Sequence, residues 1–150
     1  MRAQELVEHL KELRDLDRAA LLERLKIPAD KVQEGVDYER LHGLAVAYDP
    51  ARSPARFYLR GDALVMIYLR DDSTLAPLLA GKLVEQLGAP ALKLRSRAGK
   101  KFKHYAYPAL GVAFTFRKPD DPVRFLEVFP NMSSETYLQE VYEEPPPFRK

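Results

Sequence analysis

The sequence predicts an α+β fold, an antiparallel sheet of about six strands with helices packed on one face. Three observations carry this expectation. Residues 3–14 and 18–26 space their leucines as one face of a helix. Residues 44–70 and 91–129 change to short segments rich in β-branched and aromatic residues, separated by turn residues. A leucine-rich helix followed by strands then occurs twice along the 150 residues. One domain over 1–144, made of two related units at about 15–70 and 73–130, accounts for the pattern, with 145–150 as an extended tail. A chain of this length buries about 68–70% of its unfolded surface, so its core needs no covalent staple.

In AQELVEHLKELR (3–14), Leu6, Val7, Leu10 and Leu13 form an apolar stripe between Glu5, Glu8, Lys11 and Glu12. Asp15 or Asp17 can cap a second helix over 18–26, which carries Leu21, Leu22 and Leu25 and ends before Pro28. Residues 29–42 are polar and mixed. LAVAYD (44–49), ARFYLR (55–60) and ALVMIYLR (63–70) read as a meander that turns at Asp49-Pro50 and at Arg60-Gly61-Asp62. Ser73 or Thr74 caps TLAPLLAGKLVEQLG as a single helix, with Pro77 in its tolerant first turn and Gly88 as its stop. ALKLRS (91–96), KFKHYAY (101–107), GVAFTFR (111–117) and VRFLEVF (123–129) are further strands. Ser133 or Ser134 caps a short helix bearing Tyr137, Leu138, Val141 and Tyr142 on one side.

The second unit carries a helix ending at Leu87, Gly88 and Pro90, then Tyr107, Gly111, Val112, Phe114 and Phe116, then Val123, Phe125, Leu126 and Val128. This order resembles the repeat of the β-lactamase-inhibitor-like proteins and of the small lipoproteins of outer-membrane barrel assembly. The resemblance implies a sheet whose open face grips another protein, without catalysis. The chain has neither the cysteines of the secreted inhibitors nor a cysteine to carry a lipid.

Composition excludes several chemistries. With 46% hydrophobic and 31% charged residues the chain belongs to the soluble globular class. The absence of cysteine removes disulfides, thiolate nucleophiles and thiolate metal sites. The start MRAQELVEHLKE lacks a signal-type apolar run, and ALVMIYL (63–69) is far shorter than the roughly 20 residues of a membrane helix, so a cytoplasmic location without membrane contact is expected. A single asparagine (Asn131), no cysteine and 12 prolines suggest a thermophile. No serine lies in G-x-S-x-G, and His9, His42 and His104 occur in unrelated contexts. No two histidines have ligand spacing, while Asp71-Asp72 and Asp120-Asp121 fall where turns and helix starts favour aspartate. The scattered glycines make no phosphate-binding loop, so no cofactor and no metal is expected. Glu127 shares strand parity with Val123, Phe125 and Phe129. Burial there would raise its pKa toward general-acid work; the alternative is a solvent-reaching residue or a partner of Arg124 or Lys118. His104 reads as a packed or solvated strand residue.

The remaining feature is KLRSRAGKKFKHYAY (93–107), with Lys93, Arg95, Arg97, Lys100, Lys101 and Lys103 in a chain of net charge +2. A hairpin with the three-residue loop Ala98-Gly99-Lys100 would set Arg97 opposite Lys101, Arg95 opposite Lys103 and Lys93 opposite Tyr105. Leu92, Leu94, Phe102, His104 and Ala106 would then share the other face. Like charges opposite one another need anionic compensation, either from an acid such as Glu85 or Glu135 or from a partner. The expected function is a non-enzymatic binding module that meets an unidentified protein through Lys93, Arg95, Arg97, Lys101, Lys103 and Tyr105. Nucleic acid on the same hairpin is the alternative. A protein partner would also use apolar surface such as Tyr58, Tyr68 or Phe148, the tail could dock as an extended ligand, and a free edge strand could pair two copies as a homodimer.

Overall fold

In the computed structural model, which describes residues 3–146, the alternating segments become β1 (Val32–Tyr38), β2 (Leu41–Ala47), β3 (Ala55–Arg60), β4 (Ala63–Leu69), β5 (Leu92–Arg95), β6 (Lys103–Tyr107), β7 (Val112–Phe116) and β8 (Phe125–Val128). They form one antiparallel sheet in the order β1-β2-β3-β4-β8-β7-β6-β5. The first four strands step from one edge to the middle and the last four step from the other edge, so β4 and β8 meet at the centre, with Tyr68 opposite Glu127. The α+β class is as expected, but the sheet has eight strands rather than about six. The unexpected strand is β1, an edge strand whose VQEGVDY is mostly exposed. It therefore lacks the apolar alternation that marks a half-buried strand. Its register with β2 shifts twice, and Gly35 within it has φ 70°.

The amphipathic stripe of α1 (Ala3–Arg14) lies over β4 and β8 and buries Val7, Leu10 and Leu13. Each such side chain contributes about 1.5–3 kcal/mol when fully removed from water. Asp17 caps α2 (Arg18–Leu25) by accepting from the Ala20 amide at 2.8 Å. The helix expected at 74–88 is two helices, α3 (Asp72–Leu75) and α4 (Ala80–Leu87), and Asp71 rather than Ser73 or Thr74 is the cap of α3. Pro77 has no amide for a helical bond. The segment around it instead meets the β7–β8 connection: Val123 N donates to Leu78 O at 2.9 Å, Ala80 N to Asp121 O at 3.0 Å and Gly81 N to Pro119 O at 2.7 Å.

Leu21, Phe57, Ile67, Leu83, Phe114 and Leu126 join the α1 stripe in the core on this side of the sheet. The helices do not all lie there. Ser133 caps α5 (Ser134–Thr136), which runs into a π-helical turn (Tyr137–Val141) closed by Tyr142 N donating to Tyr137 O at 2.8 Å. Tyr137 and Val141 pack on the opposite face with Tyr38, Leu44, Met66 and Phe129. Both faces of the sheet are therefore covered. Among the described residues no helix is long and apolar enough to cross a membrane.

In a flat sheet β1 and β8 would lie four spacings apart, about 19 Å. Yet the Tyr38 hydroxyl, at the end of β1, donates to Glu127 on β8, and Arg97, from beyond β5, reaches both. A strand twist of roughly 20–25° per step lifts diagonally opposite corners of such a sheet toward one face. Here the β1–β2 and β5–β6 turns are those corners.

Candidate functional site

The 93–107 hairpin forms with the expected register: Leu92 pairs with Ala106, Lys93 with Tyr105, Leu94 with His104 and Arg95 with Lys103. The expected six-residue face does not stay together. Lys93, Lys101 and Lys103 are exposed. Tyr105 carries the Lys93 ammonium 5.6 Å from its ring centre, and its ring packs on Phe114 and Phe116 at centroid distances of 6.1 and 4.8 Å. It is not an open stacking platform. Arg95 donates to Pro145 O and lies 3.5 Å from Glu144, in the chain that follows the π-helical turn. Strand pairing ends at Arg95, and buried Ser96 binds Thr115 and the Ala98 amide, so the alternation of faces breaks there. Arg97 consequently turns to the other face, where its guanidinium covers Tyr38, Tyr68 and Phe125 at 5.0, 5.5 and 4.5 Å. The compensating acids are Glu39, Glu127 and Glu144; Glu85 pairs instead with Lys82. Tyr58 and Tyr68 pack around Tyr38 rather than offering free apolar surface, and Phe148, with the rest of 147–150, lies outside the described residues.

Arg97 closes a buried polar cluster centred on Glu127, which is 1% exposed. Tyr38 donates to one carboxylate oxygen and Tyr137 to the other at 2.9 Å. His104 Nε2 donates to the Tyr137 hydroxyl at 2.8 Å and lies 3.4 Å from Glu127 Oε1. On its far side, His104 Nδ1 meets Thr115 Oγ1 at 2.8 Å, Thr115 meets Ser96 Oγ at 2.9 Å, and Ser96 accepts from the Ala98 amide at 3.0 Å. Arg97 donates to Tyr38 Oη at 2.7 Å, bonds Glu39 and stands 3.5 Å from Glu127.

Glu127 is buried, but its partners reverse the expected upward pKa shift. Desolvation pushes the carboxyl up; it is outweighed by the neighbouring His104 ring, by Arg97 and by the Tyr38 hydroxyl, which hold it down at about 2. Burial and the Glu127 charge push Tyr38 and Tyr137 well above the ordinary tyrosine range. Burial works against the Arg97 charge, yet Tyr38, Glu127 and Glu39 hold the guanidinium protonated above its usual range. The cavity beside the cluster measures about 10 Å³. That is at most the space for one water, and among the described residues no buried side-chain nitrogen or oxygen lacks a hydrogen-bond partner. The cluster is thus a closed polar core with no room for a substrate.

A group of unpaired positive charges lies at one end of the sheet, where the β5–β6 turn and the β7–β8 connection meet. Lys100, Lys101, Lys103, Arg117, Lys118 and Arg124 are all exposed there, and none has an ion pair or side-chain hydrogen bond among the described residues. Asp120 and Asp121 offset part of this charge. Between these two turns and the 72–76 segment is a shallow pocket of about 310 Å³ walled by Phe102, Val123, Arg117 and Arg124 and also by Asp72 and Asp121, with the Arg124 guanidinium 5.7 Å from the Phe102 ring centre. Arg117, Lys118 and Arg124 were not part of the expected surface; the pairing of Lys103 with Phe116 brings them beside the hairpin. No group of acidic and histidine side chains among the described residues could hold a metal ion. Comparison with family models, curated proteins and solved structures finds no match to this chain.

Proposed function

We propose that the chain is a non-catalytic binding module that takes an acidic segment of another protein on the cationic end of its sheet. The observation that carries this reading is the group of six exposed, unpaired cations around the Phe102 pocket. Unpaired like charge gathered on one surface attracts an anionic partner and speeds encounter, while the half-buried Phe102 and buried Val123 give apolar side chains a place to insert. The family resemblance supports a protein as partner. Tyr105 packs inward and the Arg124 guanidinium lies over the half-buried Phe102 ring, so neither aromatic offers a free face on which the bases of single-stranded nucleic acid would stack.

Fluorescence anisotropy tests the reading with labelled peptides that combine glutamates with phenylalanine or leucine, run beside single- and double-stranded oligonucleotides at low and moderate salt. Peptide binding should persist at moderate salt and fall at least about tenfold in Lys101→Glu/Arg117→Glu, because each reversal replaces attraction with repulsion. Oligonucleotide binding that exceeds peptide binding and falls steeply with salt would transfer the surface to nucleic acid.

A further inference from the structure

We propose that a second site, on the helical side of the sheet, binds a free monoanionic amphiphile such as a medium-chain carboxylate. The interruption of the third helix at Pro77 leaves a groove between α1 and the 72–78 segment, with a volume of about 410 Å³, at the compact end of the range for small-molecule sites. Leu6, Leu10, Leu13, Leu25, Leu69 and Leu78 line it. A polypeptide strand laid there would bring amide and carbonyl groups that such walls cannot satisfy, whereas an alkyl chain brings none.

The polar groups gather at the rim and select the sign of the head group. Ser73 and Thr74 spend their hydroxyls on Asp71, which also accepts from the Thr74 amide. Asp49 accepts from the Ala51 amide. His9 and Arg52, both exposed, have no side-chain partner among the described residues. An apolar trough that ends at an unengaged guanidinium and imidazole complements one apolar chain with one anionic end. This site is independent of the cationic end of the sheet, since none of the six cations lines the groove.

The test is a titration of the full chain with decanoate, with decan-1-ol as the uncharged analogue, followed by the methyl resonances of Leu6, Leu10 and Leu78. Decanoate should shift these methyls saturably. Arg52→Glu, a change on an exposed turn, should weaken decanoate about three- to tenfold while leaving decanol unchanged. Leu25→Trp should block both by filling the trough, and the methyl map on the unaltered chain stands without that variant if it does not fold. Absent or non-saturable shifts, or an Arg52→Glu variant that binds decanoate and decanol as the unaltered chain does, would overturn the proposal. Sedimentation with phosphatidylglycerol vesicles tests the other source of the same chemistry; binding to vesicles with no response to free decanoate would likewise overturn it.

Discussion

Glu127 shows how much a buried carboxylate depends on its partners. Its pKa near 2 in the fold lies below the ordinary 4.5, so the fold gains stability from the ionised group above about pH 4.5 and loses it as pH falls toward 2. A shift of this size corresponds to a contribution on the order of 3 kcal/mol. Urea unfolding at pH 7, 4 and 2.5 should show this loss, and Glu127→Gln should be less stable at pH 7 with the difference closing by pH 2.5. Equal acid sensitivity in the two proteins would mean that other carboxylates govern it. The sequence raised Glu127 as a buried carboxylate through its parity with Phe125 and Phe129, but the upward shift expected from burial is the opposite of the downward one in the fold. That direction is set by His104, then by Arg97 and Tyr38, the last two at sequence separations of 30 and 89 residues from it.

Local periodicity and capping made most of the elements legible. The bounds of α1 and β3 are those expected, β2 begins three residues before its expected start and ends two before its expected end, and the remaining expected strands are longer than observed by a residue or more at their ends. Two elements were misread because tertiary pairing decides them. β1 is an exposed edge without alternation, and the third helix breaks because the amides near Pro77 pair with the 119–121 carbonyls. The β7 entry gives a sharper test. Gly111 has φ 69°, and a Cβ there would lie 2.1 Å from Phe129 O and 2.4 Å from Arg14 Nη1, whose 3.0 Å bond to that carbonyl anchors the end of α1. Gly43 has nearly the same backbone, φ 68°, with open space around it. Gly43→Ala should cost only its backbone strain, about 1–2 kcal/mol, whereas Gly111→Ala should cost at least twice that because the α1 anchor must also move. Chemical denaturation of the pair reads the difference directly, and equal losses would show that the Arg14 anchor contributes nothing.

At the scale of the whole molecule, the antiparallel class was legible because strand patterns survive in single segments, while the meeting of the two corners was not, because twist accumulates over the whole sheet. That meeting ties the edges together through one residue. Arg97 lies 59 residues from Tyr38 in sequence, and its guanidinium stands between Glu39 and Glu127. Removing it takes the guanidinium from Glu39 and from the fully buried Glu127, at a cost of about 1.5–3 kcal/mol because Arg97 itself is partly open to water. Restoring neutrality should recover part of that loss, so Arg97→Met/Glu127→Gln should be more stable than Arg97→Met alone, with a coupling above about 1 kcal/mol. Hydrogen exchange then separates a local effect from closure of the sheet. In Arg97→Met, the Val36–Tyr38 end of β1 should lose protection together with β5, although the two strands occupy opposite edges. Loss confined to β5 and β6 would show that each corner holds itself down, with Arg97 serving only its own hairpin.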